Sequence, residues 1–262
     1  MIKTADIIHY LNEQIPETWQ EDYDNSGLLC GNTEECCNGI FLCLDIDINN
    51  LKKAKNLGCN LIISHHPLVF KSIKRFLPKD NPTEALLYAI ENNMTIYSMH
   101  TNLDAAQTGL NTMLAQIIGL QDFTSFDKNA GEKGFFGIGG TGILPKKMNY
   151  SSFLLDIKTK LNIHNIRYVP GKEKILQSVA LCTGSGGELL EKAIEAGADC
   201  YLTSDIKYHT FLEADGRILL ADIGHFESES IAKKCLANLI SKKFCNFVPL
   251  FCDDSPNKIK NI

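Results

Sequence analysis

Histidine titrates near neutral pH and is a common metal ligand, so the seven histidines at 9, 65, 66, 100, 164, 209 and 225 are the first residues to weigh for chemistry. Five of them, all but His9 and His164, fall at or just after the expected C-terminal end of a strand. Open α/β sheets place their ligands there. His65 and His66 are adjacent, after the apolar run Leu61-Ile62-Ile63 and before Pro67. They read either as metal ligands or as polar residues at a loop mouth. Neighbouring residues on a strand point to opposite faces. Either the chain turns at Pro67, where the missing N–H ends a strand, so that both rings face one site, or each ring binds a different ion. That geometry suits a pair of ions better than one.

Carboxylates recur at a fixed distance from the histidines. Asp104 follows His100 by four residues, and Glu229 follows His225 by four. On a helix that spacing puts both side chains on one face. Imidazole with carboxylate is a ligand set for zinc, iron, manganese or nickel alike. The His225–Glu229 pair reads equally as a helix-capping arrangement, with Ser228 or Glu229 satisfying the first turn. His209 and Glu213 share the spacing, but Glu213 lies deeper in its helix and reads as a solvated residue. Thr183-Gly184-Ser185-Gly186-Gly187 stands between a strand and a helix, as an anion cradle or a plain turn.

The elements that position these residues follow from apolar periodicity. A helix over Thr4–Leu11 is stopped by Pro16, and Trp19–Gly31 reads as a loop. Strands are expected over Gly39–Leu44, Asn60–Ser64 and Met94–Met99. The helices between and after them are Asn49–Leu57, Pro82–Glu91 (capped by Asn81 or Thr83) and Gly109–Ile118. Asp122–Gly142 holds six glycines and reads as turns and short strands. Its Gly137-Ile138-Gly139-Gly140-Thr141-Gly142 matches a dinucleotide fingerprint in letters only. Ile143-Leu144-Pro145 starts no helix, and the fingerprint needs one. A helix over Met148–Leu161 and a short strand over Asn165–Val169 follow. Alternation then resumes with strands at Ile175–Cys182, Cys200–Thr203, Arg217–Ala221 and Phe247–Phe251, and helices at Glu188–Ala196, Lys207–Ala214 and Glu227–Lys242. The expected class is α/β: two α/β lobes with mixed sheets flanked by helices, one over residues 1–121 and one over 122–262.

The 262 residues, 44% hydrophobic, suffice for a substantial core. A net charge of −5 offers no nucleic-acid footprint. No apolar run is long enough to span a membrane, and the first residues lack a signal-peptide core. The ten cysteines include no C-x-x-C pair, and several sit in apolar runs. They read as small reduced hydrophobes in a cytoplasmic protein.

Six blocks then occur in order: Asp24-Asn25-Ser26-Gly27-Leu28-Leu29, Ser64-His65-His66-Pro67, His100-Thr101-Asn102-Leu103-Asp104, Thr183-Gly184-Ser185-Gly186, Thr203-Ser204-Asp205-Ile206-Lys207-Tyr208-His209 and Gly224-His225-Phe226-Glu227-Ser228-Glu229. Together, over about Ile2–Phe251, they resemble the GTP cyclohydrolase I type 2 homologues, also called Ngg-interacting-factor-three-like proteins. The family commonly has Tyr where this chain has Phe226, and Val or a similar residue at Ser26. Neither change removes a ligand. Some members carry a large insertion between the halves, where this chain has only its glycine-rich middle.

The resemblance implies a dinuclear metal site in the cleft between the lobes, with ligands His65, His66, Asp104, His225 and Glu229, and a homohexamer. Two divalent metal ions of this kind support hydrolysis of a nucleotide-like substrate. His209 and His100 are the candidate catalytic proton-transfer groups. Asp104 or Glu229 would bridge, the Gly184–Gly187 turn and Lys207 would hold phosphate, and Asp24, Asn25 and Asn102 are candidates to read a base edge. The alternative of a different class is a metal-binding adaptor or metal-insertion protein without turnover.

Overall fold

The computed structural model describes residues 2–79, 82–244 and 250–260. They divide into two compact units, one within Met1–Leu103 and Ala232–Ser255, the other within Asp104–Ile231 and Pro256–Ile262. Each is a sheet flanked by helices.

The first unit carries α1 (Thr4–Gln14), β1 (Gly27–Cys30), β2 (Ile40–Cys43), α2 (Ile48–Asn56), β3 (Leu61–Ser64), α3 (Thr83–Glu91) and β4 (Thr95–Ser98). Its sheet has the order β1-β4-β3-β2-β11, where β11 is Leu250–Cys252. β2, β3, β4 and β11 run parallel, and β1 closes one edge antiparallel to β4. All four residues of each of β2, β3 and β4 are buried. That is the continuous apolar run expected of strands covered on both faces. Phe41, Ile62 and Ile96 pack with Leu51 and Ala54 of α2 and Ala85 and Ala89 of α3. Asp47 caps α2 by accepting from the Asn50 N–H at 2.9 Å.

The Trp19–Gly31 segment is not all loop. Gly27–Cys30 is a short edge strand, and Gly27 takes a φ of +117° at its start. The strand expected over Phe247–Phe251 lies partly outside the described residues, as does Asn81. What is described, β11, pairs with β2.

A one-turn helix, α4 (Thr101–Asp104), carries the chain from Leu103 of the first unit to Asp104 of the second. The second unit then runs through α5 (Leu110–Ile118), β5 (Gln121–Ser125), β6 (Gly140–Asn149), α6 (Tyr150–Lys160), β7 (Arg167–Val169), β8 (Ile175–Ser185), α7 (Leu190–Glu195), β9 (Cys200–Ser204), α8 (Tyr208–Ala214), β10 (Leu219–Asp222) and α9 (His225–Glu229). Its mixed six-stranded sheet has the order β5-β6-β8-β9-β10-β7. The glycine-rich middle is the β5–β6 antiparallel pair together with the turns that join it, which hold four of its six glycines. Met148 and Asn149 end β6 rather than begin a helix; Asn149 instead caps α6 by accepting from the Ser151 N–H at 2.9 Å. The helix expected over Glu227–Lys242 is two helices, α9 and α10 (Ala232–Phe244), and α10 belongs to the first unit.

Among the described residues no helix is long and apolar enough to cross a membrane. Nine cysteines are described and all are free thiols. Burial pushes Cys43, Cys182 and Cys200 well above the ordinary thiol range, which suits inert core residues.

Candidate metal centre

In the first unit the chain beyond β3 and β4 gathers three imidazoles. β3 stops at Ser64, one residue before the histidines. The His65 N–H donates to the Cys43 carbonyl and the His66 N–H to that of Leu44. This departure from strand geometry lets two adjacent rings converge, with centroids 5.1 Å apart. His100, just past β4, brings its ring to 5.2 Å from His65 and 5.5 Å from His66. One ring nitrogen from each of the three lies within 4.8 Å of the others, a spacing from which one ion can be shared.

Each imidazole is oriented by an oxygen at Nδ1. His65 Nδ1 lies 2.9 Å from the Met99 carbonyl, His66 Nδ1 2.8 Å from Asp45 Oδ1, and His100 Nδ1 2.6 Å from Asp24 Oδ1. A carbonyl or an ionised carboxylate only accepts, so Nδ1 donates and Nε2 is left as the basic nitrogen. These acceptors are 34, 21 and 76 residues from their histidines. No spacing in the sequence announces them.

Asp24 is the buried member of this set; its side chain has no solvent exposure, against 54% for Asp45. Its Oδ1 accepts from His100 Nδ1 and the Asn25 N–H (2.7 Å). Its Oδ2 accepts from Ser26 Oγ (3.0 Å), the Thr101 N–H (3.0 Å) and Thr101 Oγ1. Burial alone would raise its carboxyl, but the hydrogen bonds from His100 and Thr101 outweigh it and hold the group well below the usual carboxylate range.

In the second unit the end of β8 organises the carboxylates. Thr183 Oγ1 donates to Asp104 Oδ1 at 2.8 Å. Asn111 of α5 spans the same corner, donating to the Asp104 carbonyl (3.1 Å) and accepting from the Thr183 N–H (3.0 Å). Asp104 and Glu229 are both buried, at 7% and 3% exposure. His225 and Glu229 share one face of α9, with Nε2 and Oε2 2.9 Å apart, while Asp205 Oδ2 holds His225 Nδ1 at 2.6 Å. The capping alternative is not what the pair does: Gly224 precedes the helix and no side chain caps it. Gly184, at φ +61°, lies directly against the pair. A Cβ there would overlap Glu229 Oε1 and come within 3.6 Å of His225 Cε1.

The remaining candidates are not drawn in. His209 sits exposed on α8 with its ring edge-on to Tyr208 at 5.6 Å. Among the described residues no hydrogen bond ties it to Asp104, His225 or Glu229. The glycine turn is a poor anion cradle, because two of its N–H groups are already used: Gly184 donates to Ser228 Oγ (3.1 Å) and Gly186 to Thr203 Oγ1 (2.9 Å). The cavity beside it sets Glu188, Glu191, Asp205 and Glu213 against one ammonium, Lys207. Asp24 and Asn102 are buried, so neither side chain is presented to a base edge.

The comparisons with known proteins agree with this fold. The family model described as Duf34/NIF3 (NGG1p interacting factor 3) matches residues 2–257. A Campylobacter jejuni protein named GTP cyclohydrolase 1 type 2 homolog is 37% identical over 238 residues, 90% of this chain and 91% of its own. One from Clostridium acetobutylicum with the same name is 31% identical, over 87% and 85%. The crystal structure of a Staphylococcus aureus hypothetical protein matches with a TM-score of 0.90 at 27% identity, covering 99% of both chains. A Bacillus cereus protein related to NIF3 matches at 0.91 with 19% identity, covering 100% of this chain and 99% of its own, a likeness of fold.

Proposed function

Given that the chain belongs to the Duf34/NIF3 family, we propose that it is a metal-dependent hydrolase holding two divalent ions on His65, His66, Asp104, His225 and Glu229 and acting on a nucleotide-like substrate. The observation that carries this reading is the orientation of His65, His66 and His100: each Nδ1 is tied to an oxygen acceptor, which puts the proton on Nδ1 and the lone pair on Nε2. The donor set fits the group: imidazoles with two buried carboxylates suit zinc, iron, manganese or nickel. Gly184 supports the fit, since any side chain there would displace Glu229.

Held by such residues, a divalent ion would supply an acidified water and polarisation of the bond under attack. The chain's own residues do the rest. Thr183 fixes one Asp104 oxygen by donating to it, and Asp205 fixes His225 at Nδ1. Asp104 and Glu229 would be the metal's carboxylate ligands. His100, anchored at Nδ1 by Asp24, is the group placed to accept or return a proton at Nε2. His209 is a weaker candidate for that task, being exposed. The nucleotide-like substrate rests on the relatives' name, GTP cyclohydrolase 1 type 2 homolog. The homohexamer and the cytoplasmic location belong to the same reading.

A panel of nucleotides and phosphoesters assayed with the wild type and with His225→Ala tests the proposal. The wild type is expected to turn over at least one member with divalent metal, and His225→Ala to lose that activity by roughly 100-fold or more. A metal-replete wild type inert on the whole panel would sink it and leave the adaptor.

A further inference from the structure

The segment that follows the paired histidines, residues 67–79, has no regular secondary structure, and Lys71 to Lys79 is mostly exposed. It contains Lys71, Lys74, Arg75 and Lys79 and no acidic residue, in a chain whose net charge is −5. It also shows aromatic surface: Phe70 is 46% exposed and Phe76 59%. The Phe70 ring stands edge-on to His100 with centroids 6.1 Å apart, and Tyr23, itself 65% exposed, stands edge-on to Phe70 at 6.4 Å. Asn25 Nδ2 donates to the Val69 carbonyl at 2.6 Å and fastens the two loops together. A wall of two rings thus leads up to the histidine cluster, with cations strung along the chain behind it.

We propose that this aromatic and basic segment is a nucleoside-phosphate subsite, with Tyr23 and Phe70 taking the planar base and Lys71, Lys74, Arg75 and Lys79 taking the phosphates. Its relevance to turnover rests on the histidine cluster being the reactive centre. Every base offers a π-face to an aromatic side chain, and exposed cations track phosphate without needing a fixed pocket. The charge complementarity favours this occupant over a second copy of the chain, because interface cores are depleted in lysine. Four cations on an otherwise acidic chain favour a small anion over a nucleic-acid strand, which needs an extended basic track. The subsite also supplies what the glycine turn lacks, since that turn is internally hydrogen-bonded and faces carboxylates.

Calorimetric binding to the full-length protein tests it, with GTP, guanosine and inorganic tripolyphosphate as probes and no added metal. The K74A/R75A double variant alters two exposed side chains. It should weaken GTP and tripolyphosphate by about tenfold and leave guanosine unchanged. Phe70→Ala, with Tyr23→Ala as a second variant in case the first misfolds, should weaken GTP and guanosine by roughly tenfold and leave tripolyphosphate unchanged. The inference is overturned if wild type binds no GTP, if loop variants bind it as wild type does, or if Lys207→Ala alone weakens it. It is equally overturned if single-stranded RNA is held more tightly than GTP, or if the variants lose self-association instead of ligand. Turnover separates the two proposals. GTP bound through the loop by a metal-replete protein that consumes no member of the panel refutes the hydrolase and leaves the subsite standing. Turnover with a KM indifferent to the loop does the reverse.

Discussion

Gly184→Ala is expected to fold less stably than wild type and to lose most of its metal affinity. Two physical effects meet at this residue. Its φ of +61° lies in the left-handed region, where a Cβ costs about 1–2 kcal/mol. The new methyl would also overlap Glu229 Oε1 and approach His225 Cε1. The backbone has little room to relax, because the Gly184 carbonyl accepts from Thr203 Oγ1 at 3.1 Å and from Ser204 Oγ, and its N–H is held by Ser228. The carboxylate must therefore swing away from His225. Chemical denaturation should show the stability loss, and competition with a metallochromic chelator should show affinity lower by roughly 10–100-fold. Wild-type metal affinity in a folded Gly184→Ala protein would mean that Glu229 is not a ligand.

Asp24→Asn should be the most damaging change outside the proposed ligands. Both carboxylate oxygens of Asp24 only accept. An amide must turn its NH2 toward one of two sets of donors. Toward Oδ2 it meets the Thr101 N–H; toward Oδ1 it meets the Asn25 N–H and His100 Nδ1. In the second orientation His100 can adapt only by moving its proton to Nε2, which removes its basic nitrogen. The expected cost in stability is about 2–4 kcal/mol, as for a buried charged hydrogen-bond acceptor that is removed. Nitrogen-15 NMR of the imidazoles should show His100 protonated at Nδ1 in wild type and changed in the variant, with His66 and His225 unaffected. Thr101→Val, which removes one donor to Asp24 but no bond to His100, is the control: it should cost stability and keep the His100 signal.

The pH dependence has a definite sign. The folded-state carboxyl of Asp24 lies below its ordinary value of 3.8. Its contribution is therefore complete above that value and is lost as pH falls through and below it. The stability gap between wild type and Asp24→Asn should be level through neutral pH and narrow only in strong acid.

Much of this arrangement is legible in the sequence. β2, β3 and β4 read directly as apolar runs, because a buried parallel strand is apolar on both faces. The adjacent histidines marked the end of β3 because Pro67 bars its continuation. The i, i+4 pair His225–Glu229 stood out because α9 is a helix. What stayed hidden is long-range. Asp24, Asp45 and Asp205 orient His100, His66 and His225 from 76, 21 and 20 residues away, and such pairings leave no local pattern. β1 reads as loop in the sequence because four residues at an antiparallel edge, only one of them buried, carry no sustained alternation. The glycine turn reads as an anion cradle or a plain turn, and its letters do not reveal that Ser228 and Thr203 already take two of its N–H groups.

The proposed hydrolase would have bound metal as its reactive group. Titrating chelator-stripped protein with manganese or zinc, while following heat and turnover in the same samples, tests it most directly. Two equivalents should bind per chain, turnover should be absent before metal is added and restored as the sites fill, and His65→Ala should show neither. Full turnover in metal-free protein, or no binding of any divalent ion by a folded chain, would contradict it.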